Sequence, residues 1–224
     1  MQSEPTVLDA RLITPCLDYV ASYLEALREG HSDTTDPHLQ VPLAVIEADP
    51  DTHIAALSQR ETIIRLPDGT DLGSVPYAHL WLAAGDDLIG RVSIRYALNQ
   101  RLIRFGGHIG YGIRPSRRRQ GFGRQALVLA KANVRAHELS RVLLTCAESN
   151  VGSARIIESC GGELESVEPH SDPPHVMTRR YWIALEEEPG MDNAAPPRPP
   201  NPSPSSRIRP RKESFSVGRR SVSI

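Results

Sequence analysis

Residues 108–134 constrain this chain most, because they read as a strand, a basic glycine-containing loop and a helix in immediate succession. From His108 to Arg114 the residues alternate. Ile109, Tyr111 and Ile113 share one face, and His108, Gly110, Gly112 and Arg114 share the other, the period-2 pattern of a strand. Pro115 ends it, since proline has no N–H to give to a ladder. Phe122, Ala126, Leu127, Ala130 and Val134 then recur at helical spacing, with Arg124, Gln125, Lys131 and Arg135 largely off that stripe. An amphipathic helix is therefore predicted to start near Gly121. Arg117, Arg118, Arg119, Gly121 and Gly123 sit at its entrance, where unpaired N–H groups and the positive end of the helix dipole come together. Glycine there lets a ligand approach the backbone, which suits a pyrophosphate.

Two other readings of the loop were weighed. Gly121-Phe122-Gly123-Arg124-Gln125-Ala126 also satisfies the dinucleotide pattern G-x-G-x-x-G/A. In that motif the first glycine follows the strand almost directly, whereas six residues, Pro115 to Gln120, intervene here, and no acidic residue is clearly placed to bind a ribose. The plainer alternative is a solvated arginine run beside a glycine-rich turn. The order of elements that follows weighs against it.

Upstream, Val7 to Ile13 reads as a weak first strand, and Thr14-Pro15 as the start of a helix whose stripe is Leu17, Val20, Ala21, Leu24 and Leu27 and whose end is Gly30. A second helix is expected from about Asp51 to Arg60, with Ile54, Ala55 and Leu57 facing a core, and a turn at Leu66-Pro67-Asp68-Gly69. Strands from Tyr77 to Ala84 and Leu88 to Tyr96 flank Gly85-Asp86-Asp87, and with the His108 strand they suggest an antiparallel meander. Arg141 to Cys146 is an apolar run suited to a buried strand, completing a strand–helix–strand crossover with a parallel neighbour. Asn150 opens a helix closed by Gly161-Gly162, and Leu164 to Val167 and Tyr181 to Leu185 are closing strands.

Composition divides the chain. Residues 189–224 hold eight of the 19 prolines and carry seven Lys/Arg against Asp192 and Glu213, a charge of +5 that leaves −6 for residues 1–188. The expected organisation is a domain over 1–188 and a disordered Pro/Ser/Arg-rich tail over 189–224. The chain has 39% hydrophobic residues, three cysteines and no run of about 20 apolar residues. That argues against a disulfide framework and a membrane span, and a cytoplasmic location is expected. No nucleic-acid partner is expected either, and a homodimer is left open.

Arg118-x-x-Gly121-x-Gly123 matches the Arg/Gln-x-x-Gly-x-Gly/Ala loop of the GNAT superfamily of acyl-CoA N-acyltransferases. The chain resembles that family from roughly Tyr77 to Leu185 in the order of its elements, with Asn150-x-x-Ser153-Ala154 opening the helix after the apolar strand. Leu98-Asn99, Thr145-Cys146 and Arg180-Tyr181-Trp182-Ile183 resemble a bacterial group of acetyltransferases. The resemblance implies an α/β (α+β) fold, with a mostly antiparallel sheet flanked by helices and splayed between its fourth and fifth strands. It implies acetyl-CoA as co-substrate and a small-molecule or peptide primary amine as acceptor.

Residue by residue, the resemblance implies that backbone N–H groups of Gln120, Gly121, Phe122, Gly123 and Arg124 hold the CoA pyrophosphate. Arg118 and Arg119 would add charge, Ile113 and Arg114 would bond pantetheine, and Asn150 would contact its far end. Direct transfer needs a base for the amine, donors for the oxyanion and an acid for the leaving thiolate. His108 stands near where some relatives carry a glutamate base, and Gly110 and Gly112 would leave a groove beside it; a satisfied strand histidine is the competing reading. Many relatives carry a tyrosine acid seven residues after the asparagine, but that position is Ile157, leaving Tyr111, Tyr181 and Cys146 as candidates. Arg95 and Asn99 are candidate acceptor-binding residues. The alternatives to a transferase are a catalytically degenerate acyl-CoA-binding sensor and a nucleotide-binding module.

Overall fold

The computed structural model describes residues 9–34, 40–58, 61–62, 75–137, 139–169 and 176–185. The chain divides into two units, 1–187 and 188–224, and the second lies wholly outside the described residues, as does the turn expected at Leu66 to Gly69. In order, the elements are β1 (Ala10–Ile13), α1 (Val20–Arg28), α2 (Leu43–Ala48), α3 (Pro50–Leu57), β2 (Glu61–Thr62), β3 (Val75–Ala84), β4 (Asp87–Arg95), α4 (Gln100–Phe105) and β5 (Ile109–Ile113). They continue with α5 (Phe122–Arg135), β6 (Arg141–Ala147), α6 (Val151–Ser159), β7 (Gly162–Pro169) and β8 (Met177–Ala184).

The strands form two sheets, one ordered β1-β3-β4-β5 with β2 paired to β3, the other β6-β8-β7, and every ladder is antiparallel. The meander β3-β4-β5 turns at Gly85, whose φ of 59° is left-handed. Leaving aside the two-residue β2, the gap between the sheets falls between the fourth and fifth strands, where the family pattern puts it.

One amphipathic helix explains why two sheets share one core. Phe122, Ala126, Leu127, Ala130 and Val134 of α5 pack against Leu82, Val92, Ile94 and Ile109 of the first sheet and against Val142, Leu144, Tyr181 and Ile183 of the second. Burial of Phe122 and Leu127 contributes roughly 1.5–3 kcal/mol each. The opposite face of the first sheet carries a smaller core: Tyr23 and Ala26 of α1, Ile46, Ile54, Trp81 and Leu88.

Three expectations change. β6 has no ladder to β5, and its regular neighbour is the antiparallel β8; its backbone bond beside β5 is the one from His108 N to Leu143 O. The first helix keeps Val20, Leu24 and Leu27 of its expected stripe against the core, but Leu17 and Ala21 are exposed and Ser22, Tyr23 and Ala26 are buried, with Tyr23 stacked on Trp81 at 4.8 Å between ring centroids. Ala55 likewise faces solvent, leaving Ile54 as the anchor of α3. Asp49 caps that helix, accepting from Thr52 N at 3.1 Å.

Candidate active site

The site begins at the free edge of β5. Arg114 N donates to Ile89 O and Arg95 N to His108 O, so the even-numbered residues of β5 turn their peptide groups towards β4. The alternation leaves the N–H and C=O groups of Ile109, Tyr111 and Ile113 facing the splay. At the far end of this edge, Gly121 adopts a φ of 90° as the N-cap of α5, and Arg119 adopts 61°, a left-handed conformation uncommon outside glycine. The first intrahelical bond is donated by Gln125 to Gly121, so the N–H groups from Gly121 to Arg124 emerge from the helix end. Arg118, Arg119, Gln120, Gly121 and Arg124 are exposed, while Phe122 is anchored in the core. The loop expected from the sequence thus ends in free donors at a positive helix end, a setting suited to an anion.

The cradle is braced from behind. Arg114 is buried, and its guanidinium binds Glu29, Ser22 Oγ at 3.1 Å and Leu88 O at 3.2 Å. Glu29 also accepts from Ser116 N at 3.1 Å, and the Arg114 guanidinium holds its carboxyl down at about 2 despite the opposing effect of burial. Arg114 is therefore unsuited to the pantetheine role expected of it, because its N–H is committed to Ile89 O and its carbonyl accepts from Arg117 N. Arg118 folds back so that Nε donates to Ile113 O at 3.0 Å, and Gln120 Nε2 donates to Ser116 O at 3.1 Å.

His108 sits at the mouth of the splay as a clasp between the sheets. Its backbone N–H donates to Leu143 O at 2.7 Å, and its Nδ1 accepts from Leu143 N at 2.9 Å. Neutral imidazole has one lone pair, and this bond uses it. Burial and the Arg95 cation push its pKa down, so the proton-accepting role expected from the sequence is corrected to a structural one. The expected groove beside it is also filled: a Cβ on Gly110 would meet Ser93 Oγ at 2.7 Å, and one on Gly112 would touch the Arg91 side chain.

Tyr111 projects from β5 to the α5 side of the sheet. Its hydroxyl is buried and has no hydrogen-bond partner. Burial pushes its pKa up to about 12, with Ser153 opposing and Cys146 and Cys160 nearby. Tyr181 is otherwise engaged, donating to Glu158 at 2.9 Å, and burial pushes the Cys146 thiol up. Ile157 is 1% exposed in the main core. Asn150 caps α6, its Oδ1 accepting from Ser153 N at 3.1 Å. Asn99 caps α4, a helix the sequence reading missed, by accepting from Leu102 N at 2.9 Å. Arg95 lies with its guanidinium 5.8 Å from the Tyr77 ring centroid and donates to Gly107 O at 3.3 Å.

The sequence reading also missed a polar cluster on the sheet face turned away from α5, formed by Tyr23, Asp33, His53, Tyr77 and His79. Its one local signal was the spacing of Tyr77 and His79, which puts both on one strand face. Among the described residues no group of three or more His, Cys, Asp or Glu is placed to hold a metal. No helix there is long and apolar enough to cross a membrane.

A splayed antiparallel fold with an open strand edge leading to a glycine-rich helix N-terminus defines an acyl-CoA transferase architecture. The model of the acetyltransferase (GNAT) domain family matches residues 34–163, more than half of the chain, and the chain belongs to that family. It is an acetyl-CoA-dependent acyltransferase, with acetyl-CoA as co-substrate. Solved structures share the fold at low identity. The microcin C7 self-immunity acetyltransferase MccE, in complex with acetyl-CoA and AMP, is 14% identical over 79% of this chain and 92% of its own, with a TM-score of 0.53. RimL, a ribosomal L7/L12 alpha-N-protein acetyltransferase in complex with coenzyme A, is 13% identical over 81% and 95%, with a TM-score of 0.54. A spermidine N-acetyltransferase SpeG chimera from Vibrio cholerae and hSSAT is 15% identical over 79% and 96%, with a TM-score of 0.51. No curated protein matches the chain.

Proposed function

We propose that this protein transfers the acetyl group of acetyl-CoA to a primary amine of a small molecule or peptide. The observation that carries the reading is the β5 edge that has no ladder to β6, joined through the 115–121 loop to the α5 N-terminus. In it the N–H groups of Gln120, Gly121, Phe122, Gly123 and Arg124 hold the pyrophosphate, and Arg118 and Arg119 supply charge. Pantetheine lies along the peptide groups of Ile113 and Tyr111, and Asn150 stands at its far end. Relatives in this fold named for spermidine or for a ribosomal protein α-amine make an amine the fitting acceptor class. Arg95, on the sheet face away from α5, and Asn99, at the head of α4, stand on the acceptor side.

Attack of the amine on the thioester gives a tetrahedral intermediate whose collapse expels the thiolate of CoA. Tyr111 is the proton donor for that thiolate, standing in for the tyrosine that Ile157 replaces. Its raised pKa keeps the phenol protonated at neutral pH, and Ser153 is the polar side chain beside its hydroxyl. This hydroxyl favours a transferase over a degenerate acyl-CoA sensor. We take residues 1–188 as the catalytic domain and 189–224 as an appended tail, and a cytoplasmic setting fits the free Cys16, Cys146 and Cys160.

A thiol-release screen of amines tests the reading, run on the full chain and on a chain ending at Glu188. Turnover with at least one amine is expected from both. In Tyr111→Phe, kcat should fall by about 10²-fold with acetyl-CoA affinity unchanged. Acetyl-CoA binding without turnover on any amine would instead support the sensor.

A further inference from the structure

The face of the first sheet turned away from α5 carries a line of polar side chains in which His79 Nε2 and Asp33 Oδ1 are buried without a hydrogen-bond partner. The Tyr77 hydroxyl lies 3.1 Å from His79 Nδ1, and His79 Nε2 lies 3.4 Å from Asp33 Oδ1. The other oxygen of Asp33 accepts from the Tyr23 hydroxyl and stands 3.6 Å from His53 Nε2. An ionised carboxylate can only accept, so the proton of a neutral His79 belongs on Nε2 and its lone pair on Nδ1, facing the Tyr77 hydroxyl. Carboxylate, imidazole and hydroxyl thus line up with the polarity of a proton-accepting triad.

The His79 side chain is 4% exposed, and Asp33 and Tyr77, both partly exposed, flank it at the two ends. Tyr77 pairs with Arg95, and Arg95 N bonds His108 O at the mouth of the splay. Tyr77 therefore stands two strand spacings, about 10 Å, from the strand that would carry the thioester. His108 next to that mouth has no free lone pair, so the deprotonating group is still to be found.

We propose that Tyr77, His79 and Asp33 form the relay that takes the proton from the acceptor amine, an assignment that rests on the amine reading above. As the amine nitrogen bonds to the thioester carbonyl carbon, its excess proton passes through bridging water to the Tyr77 oxygen while the phenolic proton passes to His79 Nδ1. Asp33 balances the imidazolium. The carbon–sulfur bond then breaks, the thiolate takes its proton from Tyr111, and His79 returns its own through Tyr77 to solvent as Tyr111 regains one. Amine and acetyl-CoA become amide and free CoA thiol with no net proton change beyond that of the amine itself.

The surroundings suit this use. His79 is faced by Tyr23 from α1, His31 and Asp33 from the segment after α1, His53 from α3, Tyr77 on its own strand, and Arg91 and Arg95 from β4. The arginines oppose a positive imidazole, and burial keeps His31 neutral, with its pKa lowered to about 4. Asp33 is the compensating charge: burial works against its ionisation, but the neighbouring His53, His79 and Tyr23 hold it far below the usual carboxylate range.

The test uses the full chain with acetyl-CoA and three acceptors: spermidine, Nα-acetyl-lysine amide and a short peptide with a free N-terminus. Tyr77→Phe keeps the ring beneath Arg95 and removes only the hydroxyl; His79→Gln keeps bulk and polarity without a titrating group. Each should lower kcat by about 10²-fold on the acceptor the wild type uses, with acetyl-CoA affinity by calorimetry changed less than about threefold. His79→Gln should also remove the acid limb of the pH–rate profile, which a merely structural histidine would not do. Variants that keep wild-type kcat and that limb overturn the relay and leave amine transfer standing. A wild type that binds acetyl-CoA but acetylates none of the three overturns the amine reading and the relay with it.

Discussion

The two sides of the splay are built from different materials. The side we assign to acetyl-CoA is made by backbone, one strand edge and one helix end, shaped by Gly121 at a φ of 90° and braced by the Arg114–Glu29 ion pair. The side we propose for the acceptor is made by side chains, with Tyr23, Asp33, His53, Tyr77 and His79 brought from four separate segments onto one sheet face. A backbone site tolerates substitution wherever the conformation survives. A side-chain cluster fails when any member is changed, because each loss leaves a buried polar partner unpaired.

The largest effect is expected where the two sides join. His108→Ala removes the acceptor for Leu143 N and leaves that N–H buried, a loss of about 1–3 kcal/mol before any cavity is counted. Thermal unfolding should show it as a lower Tm, with the catalytic rate per folded molecule little changed. A loss of turnover without a loss of stability would return His108 to the role of base.

The pH dependence follows from the same contact. His108 and His31 both have folded pKa values below the ordinary value near 6.5, so between the two values the unfolded chain binds more protons. Stability is full above about pH 6.5 and is lost as pH falls, for His31 down to about 4. Wild-type unfolding should therefore become easier on acidification through this window, less steeply in His108→Ala.

Next in size is Gly121→Val. A β-branched residue at a φ of 90° is strained, by at least the roughly 1–2 kcal/mol of a left-handed non-glycine residue, so the loop should leave its cradle conformation. Acetyl-CoA affinity by calorimetry should fall by about tenfold or more. Unchanged affinity in a folded variant would mean that the pyrophosphate is bound elsewhere, breaking the contrast at its backbone side.

Arg119→Ala should be mildest. The side chain is exposed, its contribution is a screened charge, and the loss in affinity should be a fewfold effect that shrinks as salt is raised. A loss as large as that of Gly121→Val would show that side chains, not backbone, make the cradle.

The unequal legibility of the two sides has the same origin. Strand alternation, Pro115, the glycines and the stripe of α5 are local patterns, and so the cradle, the meander and the splayed family fold could be read from residues next to one another. Asn150 announced α6 in the same way, because an N-cap acts over three residues. Asn99 and Leu102 carried the same signal and were passed over, as α4 is only six residues long.

Tertiary structure decided what depends on which peptide edge or side chain meets which partner. The sequence alone determined that residues 108–134 form a strand, a glycine-containing loop and a helix, and that the elements follow in acetyltransferase order. It could not show that His108 would spend its lone pair on Leu143, since the two are brought together only by the closing of the β5–α5–β6 crossover. Nor could it show that Arg114 would turn from the ligand to Glu29, 85 positions away, or that Asp33 would meet His79. Such contacts are set by loop closure and by the burial of α1 and α3 over Trp81.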